Sequence, residues 1–331
     1  MTEPALSHDP LWPRAGDWPG FDSLAGDARV GLALLGVPAW RTSLSASNAH
    51  ATPAAVRAAL RRYSPALMPD RSQPDGAAGR DPRDLADVGF ADAGDIDEPD
   101  GPDGEARTRT RVAEVLARAD ALMALGGDNS VTVATALGAW GDELATAGLV
   151  TIDAHYDLRD GVSNGSPVRR LVEAGLDPAR IVQVGIADFA NSAAYARRAA
   201  DLGITVIHRD ELHGRRPAEV MGEALAIAGA AGGPVHLDVD VDACDRSVAP
   251  ACPASVPGGL AAWELRALVR AAASDRRVRS ADLVEIDATT DAADGRTVRL
   301  AALCVLEFAA GLAGRTRVGG VGGAAGGWSH R

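Results

Sequence analysis

The sequence predicts an α/β fold: a single domain of three layers, with a mostly parallel sheet of about eight strands between helices. Three observations carry this. Short apolar runs alternate with amphipathic stretches from about residue 30 to residue 314, the pattern of strand–helix–strand units. Runs such as Val30–Val37 and Ile181–Ile186 are apolar at nearly every position, as in strands covered on both faces. No composition shift or internal repeat divides the 331 residues, and one large domain can hold a chain of that length.

In chain order, residues 1–29 carry Pro, Gly, Asp and two Trp and read as an irregular surface arm ahead of a domain at 30–316. The first strand, 30–37, stops at Pro38. The polar stretch 39–51 has no helical period and reads as a long loop leaving a strand's C-terminal end, where open α/β sheets bind ligands. Pro53 opens a helix over 54–63, since proline suits a first turn. After a Pro/Asp/Gly-rich loop, a short strand lies within 85–96, a helix at 105–119 and a strand at 121–125. Helices follow at 131–139, 168–174, 191–202, 217–230, 262–273 and 297–314. Strands at 148–153, 181–186, 204–208, 236–240 and 281–286 separate them. The Gly-rich segment 317–331 reads as a flexible tail.

The net charge is −12, so there is no basic footprint for nucleic acid. No run of about 18 apolar residues suggests a membrane span. The start Met1-Thr2-Glu3-Pro4 lacks the basic-then-apolar pattern of an export signal. Three cysteines, Cys244, Cys252 and Cys304, form no zinc-type pair, and an odd count fits a reducing compartment, so a cytoplasmic location is expected.

The chemistry concentrates at strand ends. Asp153, His155 and Asp157 recur at every second position, so in extended chain they point to one side. A second apolar strand ends in Asp238, Asp240 and Asp242 with the same alternation. Buried carboxylates are costly unless paired or bound to metal. Two acidic strand ends in one chain therefore suggest a shared divalent-cation site. A lone Asp-x-His-x-Asp is most often a solvated loop; the second acidic strand is what shifts the reading.

The motifs resemble those of the ureohydrolases, the family of arginases, agmatinases and formimidoylglutamases, from about residue 30 to 314. Gly126-Gly127-Asp128-Asn129-Ser130 is similar to the family's Gly-Gly-Asp-His-Ser. Asp153-Ala154-His155-Tyr156-Asp157 follows its Asp-Ala-His-x-Asp. Asp240-x-Asp242-x-x-Asp245, Ala249-Pro250 and Gly258-Gly259-Leu260 keep its order and spacing. Glu285-Ile286-Asp287 and Thr297-x-x-Leu300-Ala301 match its last two patterns. That register makes Asp238 a buried acid rather than a ligand.

The resemblance implies an arginase-like fold and two Mn²⁺ ions. One would be held by Asn129, Asp153, Asp157 and Asp240; the other by Asp153, His155, Asp240 and Asp242. The paired ions would lower the pKa of a water whose hydroxide attacks a C=N carbon. Asn129 stands where the family has His, which implies a weaker first ion, with a plain turn residue as the alternative. The run Asn164-Gly165-Ser166-Pro167-Val168-Arg169 is similar to that of formimidoylglutamases, as is Arg159. The implied reaction is hydrolysis of N-formimidoyl-L-glutamate to glutamate and formamide, in histidine breakdown. Arg159 and Arg169 are candidates for its carboxylates, with Asn164 and Ser166 beside them. Glu285 would hold the formimidoyl N–H groups, and Asp157 or Asp242 would supply the proton for the leaving amine. The alternatives are a ureohydrolase of another guanidino compound and a metal-poor, non-catalytic relative. A homo-oligomer is implied by the family alone.

Overall fold

The computed structural model describes residues 8–68 and 83–315; the expected tail at 317–331 lies outside them. In chain order the elements are β1 (Val30–Val37), α1 (Thr52–Leu60), the two-residue strands β2 (Ala66–Leu67) and β3 (Arg83–Asp84), and β4 (Phe90–Asp95). Next come α2 (Gly101–Leu116), β5 (Ala119–Gly126), α3 (Val131–Trp140), β6 (Gly148–Ile152) and α4 (Pro167–Glu173). Then β7 (Ile181–Ile186), α5 (Ala193–Leu202), β8 (Thr205–His208), α6 (Pro217–Ala228) and β9 (Val235–Asp240) follow. The chain closes with α7 (Ala262–Ala273), β10 (Val278–Val284) and α8 (Arg296–Arg315).

Eight strands form one sheet in the order β4-β1-β5-β10-β9-β6-β7-β8. Every neighbouring pair runs parallel. After β5 the chain crosses to β6 and leaves a gap that β9 and β10 later fill. The four strands that carry the acidic and glycine-rich motifs, β5, β10, β9 and β6, are thereby neighbours at the centre of the sheet. Their C-terminal ends share one edge, the place where such sheets bind ligands.

Alternation along the strands sorts side chains to two faces. Leu237 and Val239 of β9, with Ala281 and Leu283 of β10, join α6, α7 and α8 in one apolar core. The opposite face is covered by α2 beside β1 and β5, and by α3, α4 and α5 beside β6 and β7. Local signals set the helix ends. Ser192 accepts a hydrogen bond from Tyr195 N to cap α5, which stops at Gly203 in the left-handed region. Glu264 reaches back to Ala261 N at the start of α7.

Several elements depart from the sequence expectations. β10 ends at Val284 rather than at 286, which leaves Glu285 on the first loop residue, with φ of 64°. α2 starts at Gly101, four residues before the predicted helix, and ends before the strand begins at Ala119. Residues 8–29 hold a short 3-10 turn and a single bridge from Gly20 to Asp92, but they bury Ala15 and Phe21, and Trp18 stacks on Phe90 at 4.2 Å. α8 is long and apolar enough to cross a membrane by length and composition, which the sequence reading did not anticipate. It is a core helix instead: 78% of its apolar window is buried, and its Glu307 pairs with Arg266 and Arg270 of α7.

The β5–α3 turn is tight. A Cβ at Gly127 would lie 1.7 Å from the Ala39 carbonyl oxygen. Gly127→Ala should therefore cost about 1–3 kcal/mol or more through overpacking. Urea unfolding would measure it, and an unchanged midpoint would contradict the close approach.

Candidate active site

The four motif loops converge on a cavity of about 220 Å³ lined by His155, Asp157, Asp240, Asp242 and Glu285, with Arg159 and Asn164 at its side. β6 ends at Ile152, and Asp153 follows with its side chain fully buried. Its Oδ1 accepts from His155 N at 2.7 Å, which turns the chain so that the imidazole comes back over the carboxylate. His155 Nδ1 lies 3.4 Å from Asp153 Oδ1 and 3.1 Å from Asp242 Oδ2. Asp240 Oδ1 accepts from Asp242 N at 2.9 Å and fixes the second acidic turn in the same manner. Asp157 and Glu285 both have left-handed backbone, with φ of 52° and 64°, a conformation that costs non-glycine residues energy. Two strained residues facing one cavity mark a place where the fold holds side chains against local preference.

The electrostatics are those of carboxylates forced together. Burial, and then the neighbouring acids, raise Asp157 and Asp240 well above the ordinary carboxylate range. Burial pushes Asp153 up to about 6 despite the His155 hydrogen bond. Glu285 rises to about 8, first from burial and then from the Asp128 and Asp242 charges. His155 goes the other way. Burial opposes its charge, but Asp242 and Asp153 outweigh that and push it up to about 12. Asp242 is correspondingly lowered, because the His155 charge outweighs its own burial.

These residues fit a divalent cation. Ligand atoms of Asp153, His155 and Asp242 lie within 4.8 Å of one another. Asp153 Oδ2 and Asp242 Oδ1 are buried without a hydrogen-bond partner, a costly state that a cation relieves. Carboxylate oxygens with one imidazole suit Mn²⁺ rather than a thiolate-seeking metal.

The structure separates the remaining candidates. Asn164 is in the cavity wall; its Nδ2 donates to Glu285 Oε1 at 2.7 Å and its Oδ1 accepts from Leu44 N. Asn129 N donates to the same Glu285 oxygen at 2.8 Å. The Asn129 amide does not present its oxygen to the cavity. Nδ2 donates to Asp157 Oδ2 at 2.5 Å, and Oδ1 accepts from Thr132 at 2.6 Å. A half-turn of the amide would set its oxygen against Asp157 Oδ2, an arrangement that a proton on Asp157 or an intervening cation stabilises. Ser166, expected at the substrate, is fully buried and latches its own loop through Ser163 N and O. Arg169 is also displaced from that expectation. Its guanidinium holds the carbonyls of Arg159 and Gly161 and pairs with Glu173. Both residues are spent shaping the 159–166 loop. Arg159 lines the cavity, and no described residue pairs with its guanidinium.

Two supports escaped the sequence reading. Asn191 Oδ1 accepts from Tyr156 N at 3.1 Å and its Nδ2 donates to Ala154 O at 2.8 Å, which pins the turn bearing His155 and Asp157. Asp128 joins Ser43 of the 39–51 loop to Ser130. Both residues stand in runs that resemble the family's, Asp128 in Gly126–Ser130 and Asn191 after Val184-Gly185-Ile186, but nothing in either run pointed to a supporting role.

The arginase family model matches residues 30–311. The chain is 31% identical to a formimidoylglutamase of Halalkalibacterium halodurans, over 85% of this chain and 87% of that protein. It is 36% identical to a formimidoylglutamase of Halobacterium salinarum, over 67% and 73%. The crystal structure of a formimidoylglutamase from Bacillus subtilis superposes with a TM-score of 0.81 at 28% identity, covering 95% of this chain and 96% of that one. The chain belongs to the arginase family. It is a hydrolase acting on a C–N bond, with a small-molecule substrate, and formimidoylglutamases are among the relatives it resembles over most of their length.

A pH dependence follows. A carboxyl whose folded pKa is raised stabilises the metal-free fold only while protonated. For Asp153 that contribution is lost as pH rises from 3.8 through about 6. A cation must displace these protons and the one on His155, so binding strengthens as pH rises. The rise in melting temperature given by a fixed Mn²⁺ concentration should be larger at about pH 8 than at about pH 6. An equal or smaller rise in differential scanning fluorimetry would contradict the ligand assignment.

Proposed function

We propose that the protein is a formimidoylglutamase, cleaving N-formimidoyl-L-glutamate to L-glutamate and formamide as a step of histidine breakdown in the cytoplasm. The observation that carries this is the guanidinium of Arg159, without a partner among the described residues, beside a cavity otherwise rich in carboxylates. The acidic floor suits a cation pair and an electron-poor amidine carbon. The lone Arg suits a substrate whose tail is anionic, since a guanidinium fork binds a carboxylate by two hydrogen bonds. Agmatine would bring its ammonium group towards that Arg and is disfavoured. The similarity to formimidoylglutamases supports the same choice.

In this reading Asp153, His155, Asp157, Asp240 and Asp242 hold two Mn²⁺ ions. Asn129 ligates the first only if its amide turns, which makes that ion the weaker. Bound there, the cations would supply a deprotonated water at neutral pH and neutralise the clustered carboxylates. The chain's own groups do the rest. Arg159 anchors a carboxylate of the glutamate part. Glu285, with Oε1 held by Asn129 N and Asn164 Nδ2, keeps its other oxygen for the formimidoyl N–H groups. As water adds to the C=N carbon, positive charge on the amidine is met by Glu285. The bond from that carbon to the glutamate nitrogen then breaks. Asp157, in the same cavity wall, carries the proton to the departing nitrogen.

Purified protein loaded with Mn²⁺ should release formamide from N-formimidoyl-L-glutamate and no urea from agmatine, guanidinobutyrate or arginine. Urea from any of these would replace the proposed substrate. Inactivity on all four with full metal loading would sink the reading. Charge-assisted hydrogen bonds contribute about 1.5–3 kcal/mol. Arg159→Ala should therefore raise KM about 10- to 100-fold while leaving kcat within a few fold. A fall in kcat at unchanged KM would place Arg159 elsewhere.

A further inference from the structure

N-formimidoyl-L-glutamate carries two carboxylates, and Arg159 can fork only one of them. The floor of the cavity is acidic, so the second carboxylate needs a donor in the wall. Apart from His155, which faces the cation site, the other side-chain donors there are Ser45, Asn164, Asn191, Ser192 and Tyr195. Most are engaged. Asn164 Nδ2 donates to Glu285 Oε1. Asn191 Nδ2 donates to Ala154 O at 2.8 Å and to Ala187 O at 3.3 Å. The Ser192 oxygen accepts from Tyr195 N at 3.3 Å, which holds it at the cap of α5. Ser45 stands exposed on the 39–51 loop, with no bond among the described residues to orient its side chain.

Tyr195 combines a held ring with an unused hydroxyl. The residue lines the cavity, and its hydroxyl has no hydrogen-bond partner among the described residues. Arg198, one turn further along α5, sets its guanidinium 5.6 Å from the Tyr195 ring centroid. The same guanidinium donates to Leu158 O at 2.6 Å and to Asp160 Oδ1 at 2.9 Å. One cation therefore ties the phenol ring to both chain neighbours of Arg159. Arg159 is placed in turn by Gly165. Its N donates to Gly165 O at 2.9 Å, and a Cβ on Gly165 would lie 2.6 Å from its Cδ. A cationic fork and a neutral phenol are thus mounted on one linked scaffold beside the acidic floor. A phenol O–H donates well to a carboxylate, and a bond to a charged acceptor is the stronger kind.

We propose that Tyr195 determines specificity at this site, its hydroxyl donating to the substrate carboxylate that Arg159 does not hold. The inference rests on the formimidoylglutamase reading and names how the second carboxylate is recognised. It makes the site selective for a dicarboxylate, because an analogue that lacks either carboxylate leaves one donor unserved.

The test uses the full, Mn²⁺-loaded protein and three compounds. They are N-formimidoyl-L-glutamate, N-formimidoyl-4-aminobutyrate, which lacks the α-carboxylate, and N-formimidoyl-L-2-aminobutyrate, which lacks the distal one. Tyr195→Phe removes the hydroxyl and keeps the ring beside Arg198. On the full substrate it should raise KM about 10-fold or more while kcat stays within a few fold. On one of the two analogues the variant and the unaltered protein should have the same KM, and Arg159→Ala should be silent on the other. Where an analogue is not turned over, its inhibition constant against the full substrate makes the same comparison. An unchanged KM on the full substrate overturns the proposal. So does a rise that persists on both analogues, or silence of both variants on the same one. These outcomes leave the formimidoylglutamase reading standing, because the unaltered protein still turns over. Inactivity of the unaltered protein on N-formimidoyl-L-glutamate overturns both.

Discussion

The constraint on which the rest depends is the crowding of buried carboxylates at the centre of one sheet edge. Asp153, Asp157, Asp240, Asp242 and Glu285 are brought together by β6, β9 and β10, and each is nine-tenths buried or more. Coulomb repulsion and desolvation both oppose this. The fold tolerates it because the strands beneath are fixed by apolar contacts on both faces, and because local bonds from His155 N, Asp242 N and Asn129 N orient single oxygens. Asp153 Oδ2 and Asp242 Oδ1 are left with no donor among the described residues. A protein that holds an array of negative charge in this way is built for a cation.

Topology is what makes the crowding possible. The crossing from β5 to β6 opens the space that β9 and β10 fill, so motifs more than 150 residues apart in sequence end on neighbouring strands. The helices contribute rigidity where it matters. α3 begins just after Asn129 and is tied to β10 through Thr135 and Asp282, while Thr132 holds the Asn129 amide. The loops around the cavity divide the work. Arg169 and Ser166 hold the 159–166 loop in shape, and that loop presents Asn164 and Arg159.

Much of this was legible in the residues. Strands buried on both faces produce unbroken apolar runs, so β1 and β7 were bounded to the residue, and the period-two acids after β6 and β9 named the cluster. What could not be read was the use of individual side chains. Arg159 and Arg169 look alike in sequence; only the path of the loop decides that one guanidinium is consumed by carbonyls and the other lines the cavity with no partner among the described residues. Asn129 is polar at a metal-type position, but the direction of its amide depends on Thr132 and Asp157, 28 residues away. Asp238 read correctly as a buried acid, yet its place opposite Thr151 and Asp282 appears only when β6, β9 and β10 are set in register.

Calorimetric titration of the metal-free protein with Mn²⁺ decides whether the carboxylate cluster is a two-cation site. Saturable binding of two ions per chain is expected, the second weaker than the first, with protons released as each binds. Binding that stops at one ion, or that never saturates, would contradict it.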